Sequence, residues 1–373
     1  MKTYGMAKPY ITNAEIAAVG QVLKSGVLSL GPVHLEFEKQ FAKRVGTKYA
    51  VAVSSGTAGL HVAMLAAGVG PGDEVITSPF SFIASSNAVL YVGAKPVFVD
   101  IDPLTYNLDP RNVEHAITKK TKAILVVHIF GQATDMAPIM KIARKYKLKI
   151  IEDACESFGA INRGRQVGTF GIASVFAFYP NKQMTTGEGG MICTNSKKIY
   201  ELCKSLSNQG RSPNMQWLDH VRLGYNYRLD EMSAAVGLEQ LKKIDFLLRE
   251  REKIASLYTK YLSQYPQLVQ TPRTGPHNTH TWQVYVVKIL KRSVNRDKLI
   301  AKLARRGISS KPYLPSIHMF SFYRKKFGFR PGDFPISEDL SKYSLALPFY
   351  LGLQEQDVAH IARQLINSIT ETL

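Results

Sequence analysis

Cysteine is scarce in this chain: Cys155, Cys193 and Cys203 are the only three among 373 residues. No CxxC pair is present, which argues against a disulfide framework or a cysteine-ligated zinc site, and no metal is expected. Acidic residues are also short, 29 against 48 Lys and Arg, leaving a formal charge of +19. No apolar run approaches the ~18 residues needed to span a bilayer. No apolar stretch follows Met1-Lys2-Thr3 either, so neither membrane association nor secretion is expected, and the cytoplasm fits best. The nucleotide signatures GxxxxGK[ST] and GxGxxG after a strand are missing, which counts against nucleotide hydrolysis and the usual dinucleotide folds. There is no internal repeat and no low-complexity tract.

The positive excess is concentrated late, since Asp297 is the only acid between Lys291 and Arg330. Long-range attraction of this kind favours polyanions or phosphorylated ligands. No helix-turn-helix, RNP or zinc-finger pattern accompanies the charge, so nucleic acid is not an expected partner. A solvated basic face is the plainer reading of charge alone.

What is present describes an ordinary globular enzyme, 45% hydrophobic and 21% charged, and long enough for two domains. Thr12 and Glu15 form a capping box that starts a helix through Ile16, Val19 and Leu23, ending at Gly26. A second helix fits 33–45, with Phe37 and Phe41 on one face. Strands then alternate with helices: strands at 49–53, 74–77, 96–99, 123–129 and 148–151, helices at 58–67, 83–91 and 136–146. That alternation predicts an α/β domain with a mainly parallel sheet, whose ligands collect at the carboxyl ends of the strands. Residues 229–261 read as helical, and past Pro266 the composition turns to Pro, Thr, Gly and His, as in a linker. A strand at 282–289, a helix at 296–306, a strand near 308–313 and a helix at 354–370 suit a smaller α/β domain. The expected division is 1–248, a large domain with an N-terminal helical segment, and 249–373, a small C-terminal domain.

The stretch SVFAFYPNKQMTTGEGGMICTN, 174–195, holds one cation, Lys182, between two apolar runs that suit buried strands. A lysine desolvated there has a lowered pKa and can attack a carbonyl; the plain alternative is a surface lysine in a β-turn. Gly56-Thr57, between a strand and a helix, is a plausible phosphate site. Asp153 follows a strand, and either caps a helix starting at Ala154 or pairs with a protonated ring nitrogen. Phe82 is core by default, or stacks on a flat ring. Together, a phosphate turn, an aromatic, an acid and a lysine describe a pyridoxal phosphate (PLP) pocket.

Longer motifs carry a resemblance. Ser55-Gly56-Thr57-Ala58, Gly70-Pro71-Gly72-Asp73-Glu74-Val75, Gly131-Gln132-Ala133-Thr134-Asp135-Met136, Glu152-Asp153-Ala154-Cys155-Glu156, Phe178-Tyr179-Pro180-Asn181-Lys182 and Gly224-Tyr225-Asn226-Tyr227-Arg228 stand in this order. With them the chain resembles the DegT/DnrJ/StrS sugar aminotransferases almost end to end. The resemblance implies an aspartate-aminotransferase-like, fold type I PLP-dependent transferase. Lys182 matches the lysine that bonds to the cofactor and moves the proton. Asp153 matches the acid at the pyridine nitrogen, Phe82 the stacking ring, and Glu156 a residue near the cofactor hydroxyl and the substrate. Gly56 and Thr57, with the Ala58 amide, match the phosphate anchor. Asn226 matches an asparagine reaching the phosphate from a neighbouring subunit, implying a homodimer with a shared active site. His318 matches a position on the substrate side.

The implied reaction takes nitrogen from L-glutamate, by way of pyridoxamine 5'-phosphate, to a nucleotide-diphosphate keto sugar, most readily a 4-keto-6-deoxyhexose. Thr185-Thr186-Gly187-Glu188-Gly189-Gly190 resembles the perosamine type, which acts at C4 rather than C3. One departure stands out: the family commonly has Ser where this chain has Ala177, removing a phosphate ligand that Ser55 or a water would have to replace. A sugar dehydratase of the same family carries His in place of the lysine, so Lys182 argues against it. A nucleic-acid-binding regulator built on the same scaffold predicts a defunct pocket, which Lys182, Asp153 and Thr57 oppose.

Overall fold

The computed structural model describes residues 2–212 and 219–373. Thr12 and Glu15 cap α1 (Asn13–Ser25) reciprocally, and Gly26 closes it in the left-handed conformation. The apolar residues of α1 do not face inward as a set: Ile16 and Leu23 are exposed, while Glu15 and Val22 are buried. Glu15 tolerates burial because Thr12, Gln240 and Lys243 all bond its carboxylate. Helix α2 (Pro32–Val45) buries Phe37 and Phe41 as its spacing predicts.

Alternation then proceeds through β1 (Tyr49–Val53), α3 (Gly56–Ala66), β2 (Glu74–Thr77), α4 (Ile83–Tyr91), β3 (Lys95–Phe98), the single turn α5 (Pro110–Val113), β4 (Thr121–Val127), α6 (Met136–Lys145) and β5 (Lys149–Asp153). A short hairpin, β6 (Ile161–Asn162) and β7 (Arg165–Gln166), leads to β8 (Ala173–Ala177), β9 (Gly190–Thr194) and α7 (Lys197–Ser207). The main sheet has the order β1-β9-β8-β5-β4-β2-β3. Its strands run parallel except β9, which is antiparallel to β8 and β1. Central strands such as β4 are covered on both faces, so their sequence is continuously apolar rather than alternating. The architecture is the mostly parallel α/β sheet of fold type I. It brings the carboxyl ends of β1, β5 and β8 to one edge, where β9 begins.

Helices α8 (Glu231–Lys242) and α9 (Ile244–Leu262) lead into a three-stranded antiparallel sheet of β10 (Val269–Gln270), β11 (Tyr285–Ile289) and β12 (Ser344–Leu347). Helices α10 (Arg296–Arg305), α11 (Ser321–Phe327), α12 (Pro335–Tyr343) and α13 (Glu355–Thr370) accompany it. A separate core of Tyr258, Tyr285, Leu303, Val358 and their neighbours supports this second part. The joint expected after residue 248 falls inside α9. Ile244 and Leu247 belong to the core beneath the main sheet, and Ile254, Tyr258 and Leu262 to the second core. We retain 1–248 and 249–373 as a proposed division whose joint is a helix.

Three expectations change. The first residues reach across to the second part, although α1 packs on the first: Tyr4 donates its N–H to Gly307 O and its hydroxyl to Asp357. The expected strand at 308–313 shrinks to isolated bridges at Ile308 and Lys311, since Pro312 has no N–H to give a ladder. The linker-like stretch past Pro266 is strapped to the main sheet, with Thr281 N–H on Gly131 O and Asn278 Nδ2 on Ala133 O. The late basic span is also less bare than its sequence. Asp339 pairs with Lys288 and Arg292, and Glu371 with Lys302 and Arg306. Among the described residues, no helix is long and apolar enough to cross a membrane.

Candidate active site

Asp153 is the last residue of β5, in register with Val127 of β4 and Val175 of β8, at the centre of the sheet. The chain turns after it without a helix at Ala154, which excludes the helix-cap reading. Its Oδ2 accepts from Ser85 Oγ at 2.6 Å and its Oδ1 from the Cys155 amide at 3.2 Å. Ser85 Oγ lies 2.7 Å from Ser81 Oγ, so a chain of hydroxyls from the start of α4 orients the carboxylate.

Strand β8 reaches the same edge carrying Phe176, followed by Phe178; both pack against Phe41, with ring centroids at 5.2 and 5.4 Å. Past Pro180 the loop bonds to itself: Phe178 N–H to Gly189 O, Thr186 N–H to Phe178 O, and Thr185 Oγ1 to the same carbonyl. Lys182 therefore leaves a braced loop, not a free turn. Its side chain is 13% exposed and its Nζ lies 3.2 Å from Glu156 Oε1. This burial excludes the surface-lysine reading, but the expected lowering of its pKa is also corrected. Burial is the largest influence and does push the pKa down. The negative charge of Glu156, with Tyr313, Cys155 and the Glu156 hydrogen bond, outweighs it, so the net direction is upward. Glu156 is held in turn by the Phe130 amide at 3.0 Å.

At the end of β1, Ser55 caps α3, its Oγ accepting from the Ala58 amide at 3.0 Å. That bond occupies the Ala58 N–H, which corrects its expected part in anion binding. The amides of Gly56 and Thr57 have no acceptor among the described residues. A side chain at Gly56 would lie 2.7 Å from Ala177 Cβ and 2.9 Å from Cys155 Sγ, so only glycine lets this turn pass between β8 and the Asp153 turn. Phe82 precedes α4 with 59% of its surface exposed, so it is not a core residue.

These groups share one cavity of about 510 Å³, lined by Gly56, Thr57, Phe82, Asp153, Glu156 and Lys182 among others. Asn181 lies on its wall with Oδ1 buried and unpartnered among the described residues. Two expected residues are not brought in. Asn226 does not line the cavity of its own chain and sits on an isolated bridge with Asn208. His318 is fully buried elsewhere, its Nε2 3.0 Å from Glu338 and its ring against Phe334, so its assignment to the substrate side is corrected. Sequence reasoning missed Ser81, Ser85, Cys155, His128, Lys311 and Tyr313, all on the wall. Ser81 and Ser85 did leave a signal, being polar residues one helical turn apart around Phe82.

A comparison with protein families matches residues 9–366 to the DegT/DnrJ/EryC1/StrS aminotransferase family. The chain is 40% identical over 336 residues to a GDP-perosamine synthase of Caulobacter vibrioides, covering 90% of each. It is 39% identical over 362 residues to the spore coat polysaccharide biosynthesis protein SpsC of Bacillus subtilis, covering 94% of this chain and 93% of SpsC. Among solved structures, S. venezuelae DesV in complex with a ketimine intermediate superposes with a TM-score of 0.91 at 33% identity, covering 98% of each chain.

Proposed function

Because the chain belongs to the DegT/DnrJ/EryC1/StrS aminotransferase family, and so is a PLP-dependent transaminase, we propose that it transfers the amino group of glutamate to the keto carbon of a nucleotide-linked 4-keto-6-deoxyhexose. The observation that carries the proposal is the convergence of Asp153, Lys182, Phe82 and the free amides of Gly56 and Thr57 in one cavity. This donor set fits PLP: two unsatisfied N–H groups at a helix start for a phosphate, an aromatic face for a ring, a carboxylate for a ring nitrogen, and an amine for a carbonyl. The relatives named for GDP-perosamine support the sugar class and, with Thr185–Gly190, C4 over C3. Amination at C3 is the second reading. Lys311 at the cavity and Arg324–Lys326, none with an acidic partner among the described residues, support a diphosphate-bearing substrate.

Bound PLP supplies an electron sink for the carbon that carries the transferred nitrogen. The amides of Gly56 and Thr57 would hold its phosphate, and Phe82 would stack on its ring. Asp153, oriented by Ser85 Oγ and the Cys155 amide, would pair with the ring nitrogen and favour its protonated form. Lys182, beside Glu156, holds and moves the proton at the reacting carbon. A homodimer completes the site through Asn226. In its support, Asn226 lies outside the cavity of its own chain, and Leu223 nearby is 81% exposed. Three free thiols fit a cytoplasmic setting.

The test is direct. Protein supplied with PLP should absorb in the visible and keep the cofactor covalently after borohydride, and Lys182→Ala should do neither. A panel of nucleotide-linked 3-keto and 4-keto sugars with glutamate then decides the position. Amination of a simple keto acid with no turnover of any sugar nucleotide would overturn the substrate class.

A further inference from the structure

Arg251 is a buried cation with no acidic partner. It lies on α9, 6% exposed, and no Asp or Glu among the described residues pairs with it. Its donors go to backbone carbonyls instead: Nη2 to Lys182 O at 2.9 Å, Nη1 to Trp282 O at 3.0 Å and Gln283 O at 3.4 Å. Its Nε is buried without a partner. Burial pushes its pKa down to about 10. An uncompensated buried charge is expensive, and an apolar residue would fill the position at less cost in stability.

The location of its contacts indicates what that cost serves. Three consecutive residues around the reactive amine are gripped from the second part of the chain. Gln283 Nε2 donates to Asn181 O at 2.7 Å, Arg251 to Lys182 O, and Gln183 Nε2 to Thr281 Oγ1 at 3.2 Å. Arg251 is the common member, because it also fixes the backbone of Trp282 and Gln283.

We propose that Arg251 is a positioning residue for Lys182, anchoring the lysine's own carbonyl and placing a fixed positive charge beside the cavity. The inference rests on Lys182 being the cofactor lysine. The fixed charge opposes a second positive charge on the Lys182 nitrogen, against the pull of Glu156. The other titratable groups facing that nitrogen are Cys155, from the turn after β5, and Tyr313, from the segment before α11. Tyr313 feels both Arg251 and Lys182, which puts the two cations in one neighbourhood.

The experiment compares Arg251→Gln, Arg251→Lys and Lys182→Ala in PLP-loaded protein. It measures the pH midpoint of the visible band, the rate of cofactor loss on dialysis, and Tm. Arg251→Gln removes the charge and should raise the midpoint by roughly one pH unit. Arg251→Lys keeps the charge but cannot span three carbonyls; its midpoint should stay while cofactor loss quickens about tenfold. A lowered Tm in both variants, with midpoint and loss rate unchanged, marks a purely structural arginine and overturns the proposal. If Arg251→Gln does not fold, the loss rate of Arg251→Lys decides. If Lys182→Ala keeps the visible band, the lysine assignment fails and the role of Arg251 falls with it; if that band is lost while both Arg251 variants keep midpoint and loss rate, Arg251 alone fails.

Discussion

At residue scale the contact between Lys182 and Glu156 sets the charge state of the lysine nitrogen. The upward net shift leaves Lys182 an ammonium at neutral pH, so a proton must leave before the nitrogen can attack a carbonyl. Replacing Glu156 by Gln removes the main opposing influence and leaves burial to lower the pKa. The rate at which PLP develops its visible band at pH 7 should therefore rise in Glu156→Gln, and its dependence on pH should flatten. A stopped-flow series from pH 6 to 9 measures both, and a slower rate at pH 7 would contradict the ion-pair account. Ala177 gives a second residue-scale test. Its side chain faces Gly56, so a hydroxyl added there lies next to the free amides. Ala177→Ser should tighten PLP binding about tenfold, the worth of one hydrogen bond to a charged acceptor, as measured by absorbance titration. Lys182, Asp153, Phe82 and Thr57 were legible because each breaks an apolar or turn pattern at a strand end. His318 was misplaced because a short motif carries no information on burial. Arg251 was overlooked although it interrupts the apolar series Leu247, Ile254, Tyr258 at helical spacing.

At the scale of elements, most of the helices and strands of the first half were readable from period and caps, since Pro, Gly and Thr punctuate them. The second half was less readable. Strand β12 is a short apolar run with no turn signal before it, because α12 passes straight into it at Ser344. Edge strand β1 shows how an element can be completed by a distant side chain. Its Ala52 amide is satisfied by Glu38 Oε1 of α2 at 2.8 Å. Burial raises the Glu38 pKa from 4.5 to about 7, with only that amide and the more distant Lys204 pulling it down. The folded chain therefore holds a proton between pH 4.5 and 7 that the unfolded chain has released, and stability falls as pH rises through that window. Above it the deficit levels at about 3 kcal/mol. Glu38→Gln can still accept from Ala52 without the charge. Thermal melts should show the variant more stable than the parent at pH 8 and nearly equal at pH 4.5; equal melts at pH 8 would place Glu38 in water.

For the molecule as a whole, composition predicts two parts but says nothing of how the chain passes between the separate cores. Apart from Arg251, the apolar spacing of α9 continues from one core to the other, so no turn or loop marks a joint in the sequence. The strap of 278–283 rests largely on backbone hydrogen bonds from Thr281 and Gln283, which leave no mark in the sequence, with Asn278 adding one from its side chain. The same limit applies to assembly: Ile16, Leu23 and Leu223 look like core residues in sequence, yet each is exposed on the single chain. The proposed two-fold dimer would cover such residues and would let Asn226 of one subunit serve the cavity of the other. Asn226→Asp would then set a carboxylate against the cofactor phosphate and disable the neighbouring site by like-charge repulsion. Lys182→Ala disables the site of its own chain. Mixed and allowed to exchange subunits, the two inactive proteins form hybrids in which one site carries both changes and the other carries neither. Random exchange should restore roughly a quarter of the parental activity. If Asn226 instead serves its own cavity, every site in the hybrid carries one lesion, and the mixture stays as inactive as its components.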